Sequence, residues 1–112
     1  HTGGLHASAL FDQEGSILSL YEDVGRHNAL DKLIGNELQK NNLPLLKCGL
    51  ILSGRTSFEL IHKAALAGIP MVVSIGAPSS LAIDAAWEYE ITLAGFLQAD
   101  RFNIYSFPRR IK

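Results

Sequence analysis

The sequence predicts an α/β fold: a mixed β-sheet with helices on both faces. Short apolar runs typical of strands alternate with longer stretches whose apolar residues recur at helical spacing. Turns rich in glycine and proline separate these runs. The resulting order of elements, ββαβαβαββ, predicts that the later strands run parallel and are joined by right-handed crossovers.

The first three elements are predicted to be a β-hairpin and a helix. Residues 5–11 alternate in polarity, residues 12–15 read DQEG and supply a turn, and residues 17–21 form an apolar run. The helix is predicted to start at Asn28 as its N-cap, with Asp31 in the first turn, and to end by Asn41 or Asn42.

Two further strand-and-helix units follow. The run 49–53 is too short for a helix, and the Thr56-x-x-Glu59 pattern has the form of a capping box for a helix over about 57–67. Gly68 and Pro70 are expected to end that helix. A strand over 71–75 then leads to a helix capped by Ser79 or Ser80. Strands over 92–97 and 102–105 complete the order.

The composition excludes several classes of protein. A chain of 112 residues forms one domain at most, and a net charge of -1 argues against a general binder of nucleic acid or membrane surfaces. No apolar run is long enough for a membrane span, and no leader peptide is recognisable. The single cysteine, Cys48, cannot form an internal disulfide, so a cytoplasmic setting is expected. The first residue is not Met, which suggests a piece of something longer.

The densest polar chemistry lies in residues 21–32, YEDVGRHNALDK, at a strand-to-helix junction. The loops after three parallel strands are expected to leave the same edge of the sheet, where α/β proteins bind ligands. Two of these loops contain Gly-Arg, and Arg26 and Arg55 beside free helix amides are suited to holding phosphate groups. The alternative is that each arginine pairs with a nearby acid such as Glu22, Asp23 or Glu59.

Two other side chains were considered for chemistry. His27 is a possible acid or base, oriented by Asp23 or Asp31, and a hydrogen-bonded histidine that shapes a pocket is the alternative. Cys48 precedes an apolar strand and is interpreted as a small buried apolar residue rather than a nucleophile.

Several long stretches together resemble the FdhD family, the formate dehydrogenase accessory sulfurtransferases. They are TGGLHAS (2–8), EDVGRHNALDKLIG (22–35), SGRTSFELIHKAALAGIP (53–70), APSSLAI (77–83), TLAGF (92–96) and RFNIYS (101–106). The resemblance covers nearly the whole chain and identifies residues 1–112 as a single FdhD-like domain. It implies a cytidine-deaminase-like fold of three α/β/α layers and, usually, a homodimer.

The resemblance also implies a function in the maturation of formate dehydrogenase. Family members are understood to take sulfur from a cysteine desulfurase as a persulfide on a CxxC cysteine. They deliver it to a molybdenum cofactor, the bis(molybdopterin guanine dinucleotide), of which GDP is a partial mimic. The cofactor-binding residues that these motifs and the Gly-Arg loops suggest are Arg26, His27, Asn28, Ser53, Gly54, Arg55, Phe96, Leu97, Gln98, Ala99, Asp100 and Arg101.

This sequence departs from the family pattern in three places. The family's CxxC lies upstream of the TGG motif, outside this sequence, and Cys48 does not match it. Gln98 stands where the family commonly has Arg, and Gly76 where it often has Ser. The ligands of zinc deaminases, H-x-E and PCxxC, are also lacking. Two alternatives therefore stay open: a chaperone that holds the cofactor or docks on formate dehydrogenase without chemistry, and a hydrolase that uses His27.

Overall fold

The computed structural model describes residues 5–98 and 101–107, and these form the predicted order of elements. In chain order they are β1 (His6–Phe11), β2 (Ile17–Asp23), α1 (Arg26–Gln39), β3 (Gly49–Leu52), α2 (Phe58–Leu66), β4 (Met71–Ser74), α3 (Ser80–Glu88), β5 (Thr92–Gln98) and β6 (Arg101–Ser106). The strands form one sheet in the order β2-β1-β3-β4-β5-β6. β3, β4 and β5 are parallel, whereas β1 and β6 run antiparallel to their neighbours. The predicted mixed α/β sheet is confirmed.

The N-cap of helix α1 lies three residues before the predicted cap, Asn28. Its N-cap is Gly25, in an extended conformation, and no side chain caps the helix. Asn28 is not the cap because its side chain lies back over Gly25, with Nδ2 3.2 Å from the position that a Cβ on Gly25 would occupy. Asp31 consequently lies beyond the first turn and pairs with Lys63 of α2 at 2.6 Å. No helix in residues 5–98 or 101–107 is long and apolar enough to cross a membrane.

Side chains and a glycine fix the ends of the other two helices. Ser57 Oγ accepts the Leu60 N–H at 3.4 Å, and Ser79 Oγ accepts the Ala82 N–H at 3.1 Å. The cap of α2 is therefore Ser57, one residue after the predicted Thr56, because Thr56 is buried. At the end of α2, Gly68 has a φ of 78° and donates to the Ala65 carbonyl, as the sequence predicted for a terminating glycine.

All three helices of the described residues lie on one face of the sheet, so the predicted second helical layer is not among these residues. Leu10, Leu50, Val72 and Leu93 pair side by side across the sheet and share one core with buried residues of α1, α2 and α3. The opposite face, here called the open face, carries Phe11, Leu20, Ile51, Val73 and Ile104. The reason is that each helical crossover advances in the same direction across the sheet, so right-handed connections place every helix on the same side.

Candidate functional site

The second and third strand-to-helix loops meet at the carboxyl edge of the sheet, as the strand order predicted. The Gly76 N–H donates to the Gly54 carbonyl at 3.1 Å, and the Ser79 N–H donates to the Thr56 carbonyl at 3.0 Å. Thr56 and Pro78 also form a parallel bridge beyond the ends of β3 and β4. The two loops therefore share a continuous backbone contact at the edge where ligands bind in α/β proteins.

The first loop, between β2 and α1, is organised by Asp23. Its carboxylate pairs with Lys32 at 2.7 Å and accepts the Gly25 N–H at 3.0 Å. The hydrogen bond from Lys32 and the one from the Gly25 amide lower the pKa of Asp23 from its ordinary value of 3.8 to about 2. Asp23 thus holds the turn that places Arg26 and His27 at the start of α1.

We expect the Asp23 carboxyl to titrate with a midpoint of about 2, and Lys32→Met to move that midpoint towards 3.8. Because the folded pKa is depressed, the ionised group stabilises the fold above pH 3.8, and this contribution is lost as the pH falls towards 2. Carboxyl chemical shifts followed by NMR against pH measure the midpoint. Lys40→Met, at the other end of α1, is the control, and an equal shift in that variant would contradict the assignment.

Arg26 and His27 are half-buried and lie close to Glu59 of α2. The pKa of Glu59 is lowered chiefly by its own backbone amide and by Ser57, and additionally by the positive charges of His27 and Arg26. Arg26 Nε is buried and has no hydrogen-bond partner among the described residues. The ion pairs found in the described part of the chain all use lysines, so neither Arg26 nor Arg55 is held in a salt bridge there.

His27 has no orienting carboxylate from the two acids expected to serve it. Asp23 is paired with Lys32, and Asp31 with Lys63 at 2.6 Å. The structure therefore does not bring together the His27 and aspartate pair that the hydrolase hypothesis requires.

Glycines bring the backbone close to Arg55 and to His6. A Cβ at Gly76 would stand 3.0 Å from Arg55 Cγ and 3.1 Å from the Arg55 backbone nitrogen. A Cβ at Gly54 would stand 3.2 Å from His6 Nδ1. The exposed Arg55 side chain thus lies against Gly76, where any side chain would press on it.

Two of the predicted site residues are used by the fold itself. Ser53 Oγ accepts the Ala7 N–H at 2.8 Å, which fastens the start of the loop to β1. The exposed Asn28 lies over Gly25 and helps to lower the pKa of Asp23. Their side chains therefore shape the loops.

Thr56 is not among the cofactor-binding residues suggested by the sequence, although its hydroxyl was expected beside the two Gly-Arg loops. It is 1 % exposed, and its Oγ1 has no hydrogen-bond partner among the described residues. The sequence signal was its position directly after Gly54 and Arg55, but the capping pattern offered a sufficient structural explanation. A buried hydroxyl without a partner beside converging loops is a candidate ligand contact.

The remaining predicted residues lie at and between the end of β5 and the start of β6. Phe96, Leu97 and Gln98 are the last residues of β5, and Arg101 is the first of β6. Because β5 runs parallel to β4, its last residues lie at the same edge of the sheet as the three loops. Ala99 and Asp100 lie outside the described residues.

Cys48 lies on the opposite edge of the sheet, directly before β3. Burial raises the pKa of its thiol, and the negative charges of Glu37 and Asp12 raise it further. In residues 5–98 and 101–107, no group of three or more His, Cys, Asp or Glu is arranged to hold a metal ion.

Sequence comparison finds close relatives along the whole chain. The profile of the FdhD/NarQ family matches residues 1–112. The sulfur carrier protein FdhD of Streptomyces avermitilis is 54% identical over 110 residues, which are 98% of this chain and 39% of that protein. The same-named protein of Sulfolobus acidocaldarius is 50% identical over 110 residues, with 44% of its length covered. The chain thus spans about two-fifths of the length of these relatives.

Structure comparison supports the same family and the fold. A structure described as that of a formate dehydrogenase accessory protein from Desulfotalea psychrophila has a TM-score of 0.87 at 33% identity, covering all of this chain and 49% of that one. Guanine deaminase from Nitrosomonas europaea has a TM-score of 0.66 at 11% identity, covering 80% of this chain and 64% of the enzyme. The second match concerns the fold alone, and the expected deaminase-like α/β fold is confirmed.

Proposed function

Because this chain belongs to the FdhD/NarQ family, we propose that it provides the cofactor-holding part of a protein that matures formate dehydrogenase. The ligand is the bis(molybdopterin guanine dinucleotide) form of the molybdenum cofactor, and its guanine nucleotide arms lie at the carboxyl edge of the sheet. The whole protein acts as a homodimer in the cytoplasm. Its partners are formate dehydrogenase and a cysteine desulfurase.

The observation that carries this proposal is a pair of buried polar atoms without partners at the carboxyl edge of the sheet, one at the start of α1 and one in the second loop. Arg26 Nε and Thr56 Oγ1 have no hydrogen bond among the described residues. Leaving such groups unpaired costs about 1–3 kcal/mol each, and more for a charged group. Phosphate oxygens of a nucleotide would satisfy both, and charged hydrogen bonds from arginine to phosphate are strong.

The charge balance at the edge also favours an anion. The carboxylate of Asp23 is already paired with Lys32, whereas Arg26 and Arg55 have no salt-bridge partner among the described residues. The N-terminus of α1 lies at the same loop and has no capping side chain, so its free amides add positive potential. The residues present therefore fit a phosphate-bearing ligand, with Arg26, Arg55 and Thr56 as its contacts.

Sulfur transfer in this proposal belongs to the whole protein and not to this chain by itself. The resemblance assigns the persulfide to a CxxC cysteine that this sequence does not contain. Cys48 is a poor substitute because it lies on the far edge of the sheet and its raised pKa disfavours the reactive thiolate. The chain's own residues bind and orient the nucleotide arms, while the sulfur-bearing cysteine comes from elsewhere.

A chaperone that holds the cofactor without chemistry is the second candidate function. It is favoured by the position of Cys48, which lies at the edge of the sheet opposite the ligand site. The two candidates share the same ligand site and differ only in whether a persulfide is delivered there. A cyanide-labile sulfur on the whole protein, passed to the cofactor, would decide for the sulfurtransferase.

We expect this chain to bind GDP saturably, and Arg55→Ala to weaken the binding at least tenfold, or about 1.4 kcal/mol. Arg55 is exposed, so its removal should leave the fold intact. Isothermal titration calorimetry measures the affinity, and ADP titrated in parallel reports on selectivity for guanine.

Lys47→Ala is the matched control for this experiment. It removes one exposed positive charge from the opposite edge of the sheet, beside Cys48. An equal loss of affinity in Lys47→Ala, or no saturable binding at millimolar GDP, would overturn the placement of the nucleotide at the Gly-Arg loops.

A further inference from the structure

His6 lies between the two loops that carry arginine. The strand order places β1 between β2 and β3, and β1 runs antiparallel to both, so its first residue lies at the carboxyl edge of the sheet. His6 pairs with Asp23 of β2 on one side. On the other side the Ser53 N–H donates to the Ala7 carbonyl at 3.0 Å, which continues the pairing with β3 towards Gly54. The first and second loops are therefore two strand spacings apart, or roughly 10 Å, with His6 between them.

The imidazole ring of His6 lies over Gly54. A Cβ at Gly54 would stand 3.2 Å from His6 Nδ1 and 3.5 Å from His6 Cε1, so the ring uses the space that this glycine leaves. Because side chains alternate along a strand, His6 is on the same face of β1 as Leu10, which packs in the core under the helices. The ring is thus held on the side of the sheet where both loops turn into their helices.

The imidazole of His6 has no partner within the part of the chain that the structure describes. His6 is half-buried, and no hydrogen bond or ion pair of its ring is found among residues 5–98 and 101–107. Asp23, the acid that pairs with it across the strands, is already bound to Lys32 at 2.7 Å and to the Gly25 N–H at 3.0 Å. Ser8, on the same face of β1, is 1% exposed, and its Oγ likewise lacks a partner among the described residues.

A histidine with only a structural role would be expected to bond a backbone or side-chain group, because half-buried polar groups are usually paired inside the fold. His6 instead presents an unpaired ring nitrogen between two arginines that have no salt-bridge partner among the described residues. The groups that surround it are therefore donors without an acceptor. An anion that crosses the start of β1 would supply the acceptor.

We propose that His6 hydrogen-bonds a diphosphate whose two phosphate groups are held by Arg26 and Arg55. This inference rests on the proposed function and names the part of the nucleotide that the site selects. Two linked phosphate groups reach from the first loop across the start of β1 to the second, whereas a single phosphate group engages the arginine of one loop. His6 donates from a ring nitrogen to a phosphate oxygen between the two arginines. The site consequently prefers a nucleoside diphosphate to a nucleoside monophosphate.

Calorimetric titration with GDP and with GMP tests this inference. We expect the unchanged chain to bind GDP about tenfold more tightly than GMP, because a hydrogen bond to a charged group is among the strong ones. His6→Asn should weaken the binding of GDP by about the same factor and leave that of GMP nearly unchanged, since the shorter side chain does not reach the position of Nε2. His62→Asn is the control. His62 is exposed in the middle of α2, where its ring hydrogen-bonds with the Tyr89 hydroxyl at 3.0 Å, and its replacement should alter neither affinity.

Nuclear magnetic resonance of the His6 ring gives a second measurement, made on the unchanged chain. We expect the imidazole signals of His6 to shift on saturation with GDP and to shift less on saturation with GMP. Unmoved His6 signals at saturating GDP, or an equal loss of affinity for both nucleotides in His6→Asn, would overturn the role of His6 and leave the nucleotide at the Gly-Arg loops. No saturable binding of GDP by the unchanged chain would instead overturn the proposed function, and this inference with it.

Discussion

Gly68→Ala is expected to lower the free energy of unfolding by about 2–5 kcal/mol. The φ of Gly68 is 78°, in the left-handed region that a residue with a Cβ adopts at a cost of about 1–2 kcal/mol. The new Cβ would also stand 2.5 Å from Pro44 Cβ, 3.2 Å from Pro44 Cα and 3.3 Å from the Leu45 backbone nitrogen. Backbone atoms cannot rotate away, and the Leu45 N–H is held by the Ala67 carbonyl at 2.9 Å.

Gly15→Ala separates the two contributions to that loss. Gly15 has a φ of 87°, but a Cβ there would meet no atom within 4 Å. Its replacement should therefore cost only the conformational part, about 1–2 kcal/mol. Urea denaturation of the two variants measures the difference. If both lost the same stability, the contact between the end of α2 and the 44–45 segment would not be as described.

Leu60→Ala is expected to cost about 2–5 kcal/mol, because it opens a cavity in the core that all three helices share. Leu60 is 1% exposed and lies in the cluster with Leu10, Leu50 and Val72. Leu66→Ala on the same helix removes the same atoms from a side chain in solvent, and its cost should stay within about 0.5 kcal/mol. Both values come from denaturant titrations followed by circular dichroism.

The comparison of the two leucines also tests which side of α2 faces the sheet. A loss in Leu66→Ala as large as that in Leu60→Ala would mean that α2 is rotated from the described orientation. Because Ser57 and Thr56 precede α2 directly, such a rotation would also displace the loop that carries Arg55. Stability and the geometry of the candidate site are therefore linked through this helix.

Local signals in the sequence were sufficient to predict the position of most helices and strands. Ser57, Ser79 and Gly68 act on amides or carbonyls a few residues away, so their roles are visible in the sequence. The start of α1 was misplaced because Asn28 is a residue type that favours the N-cap, whereas in the folded loop Gly25 takes that place without a capping side chain. The face on which the helices lie depends on the order of strands in the sheet, a property of the whole chain that no single window contains.

The candidate site was predictable in position but not in its detailed contacts. The meeting of the Gly-Arg loops followed from parallel strands, and the hydrogen bond from Gly76 to Gly54 confirms it. The unpaired state of Thr56 Oγ1 and Arg26 Nε depends on which neighbours bury them, and burial is set by tertiary packing. The turn after β5 holds further predicted contacts, and their assignment stays a prediction.

The backbone bridge between Thr56 and Pro78 makes two of the loops at the carboxyl edge of the sheet more rigid than the third. Backbone hydrogen bonds from Gly76 to Gly54 and from Ser79 to Thr56 join the second and third loops, so we expect these two loops to move together as one rigid unit. The first loop is tied by side-chain contacts around Asp23, which are weaker and depend on charge. A ligand that binds between these loops would therefore contact a rigid side, formed by the second and third loops, and an adjustable side, formed by the first loop. The short segment that carries Arg26 and His27 would therefore move to accommodate ligands of different size.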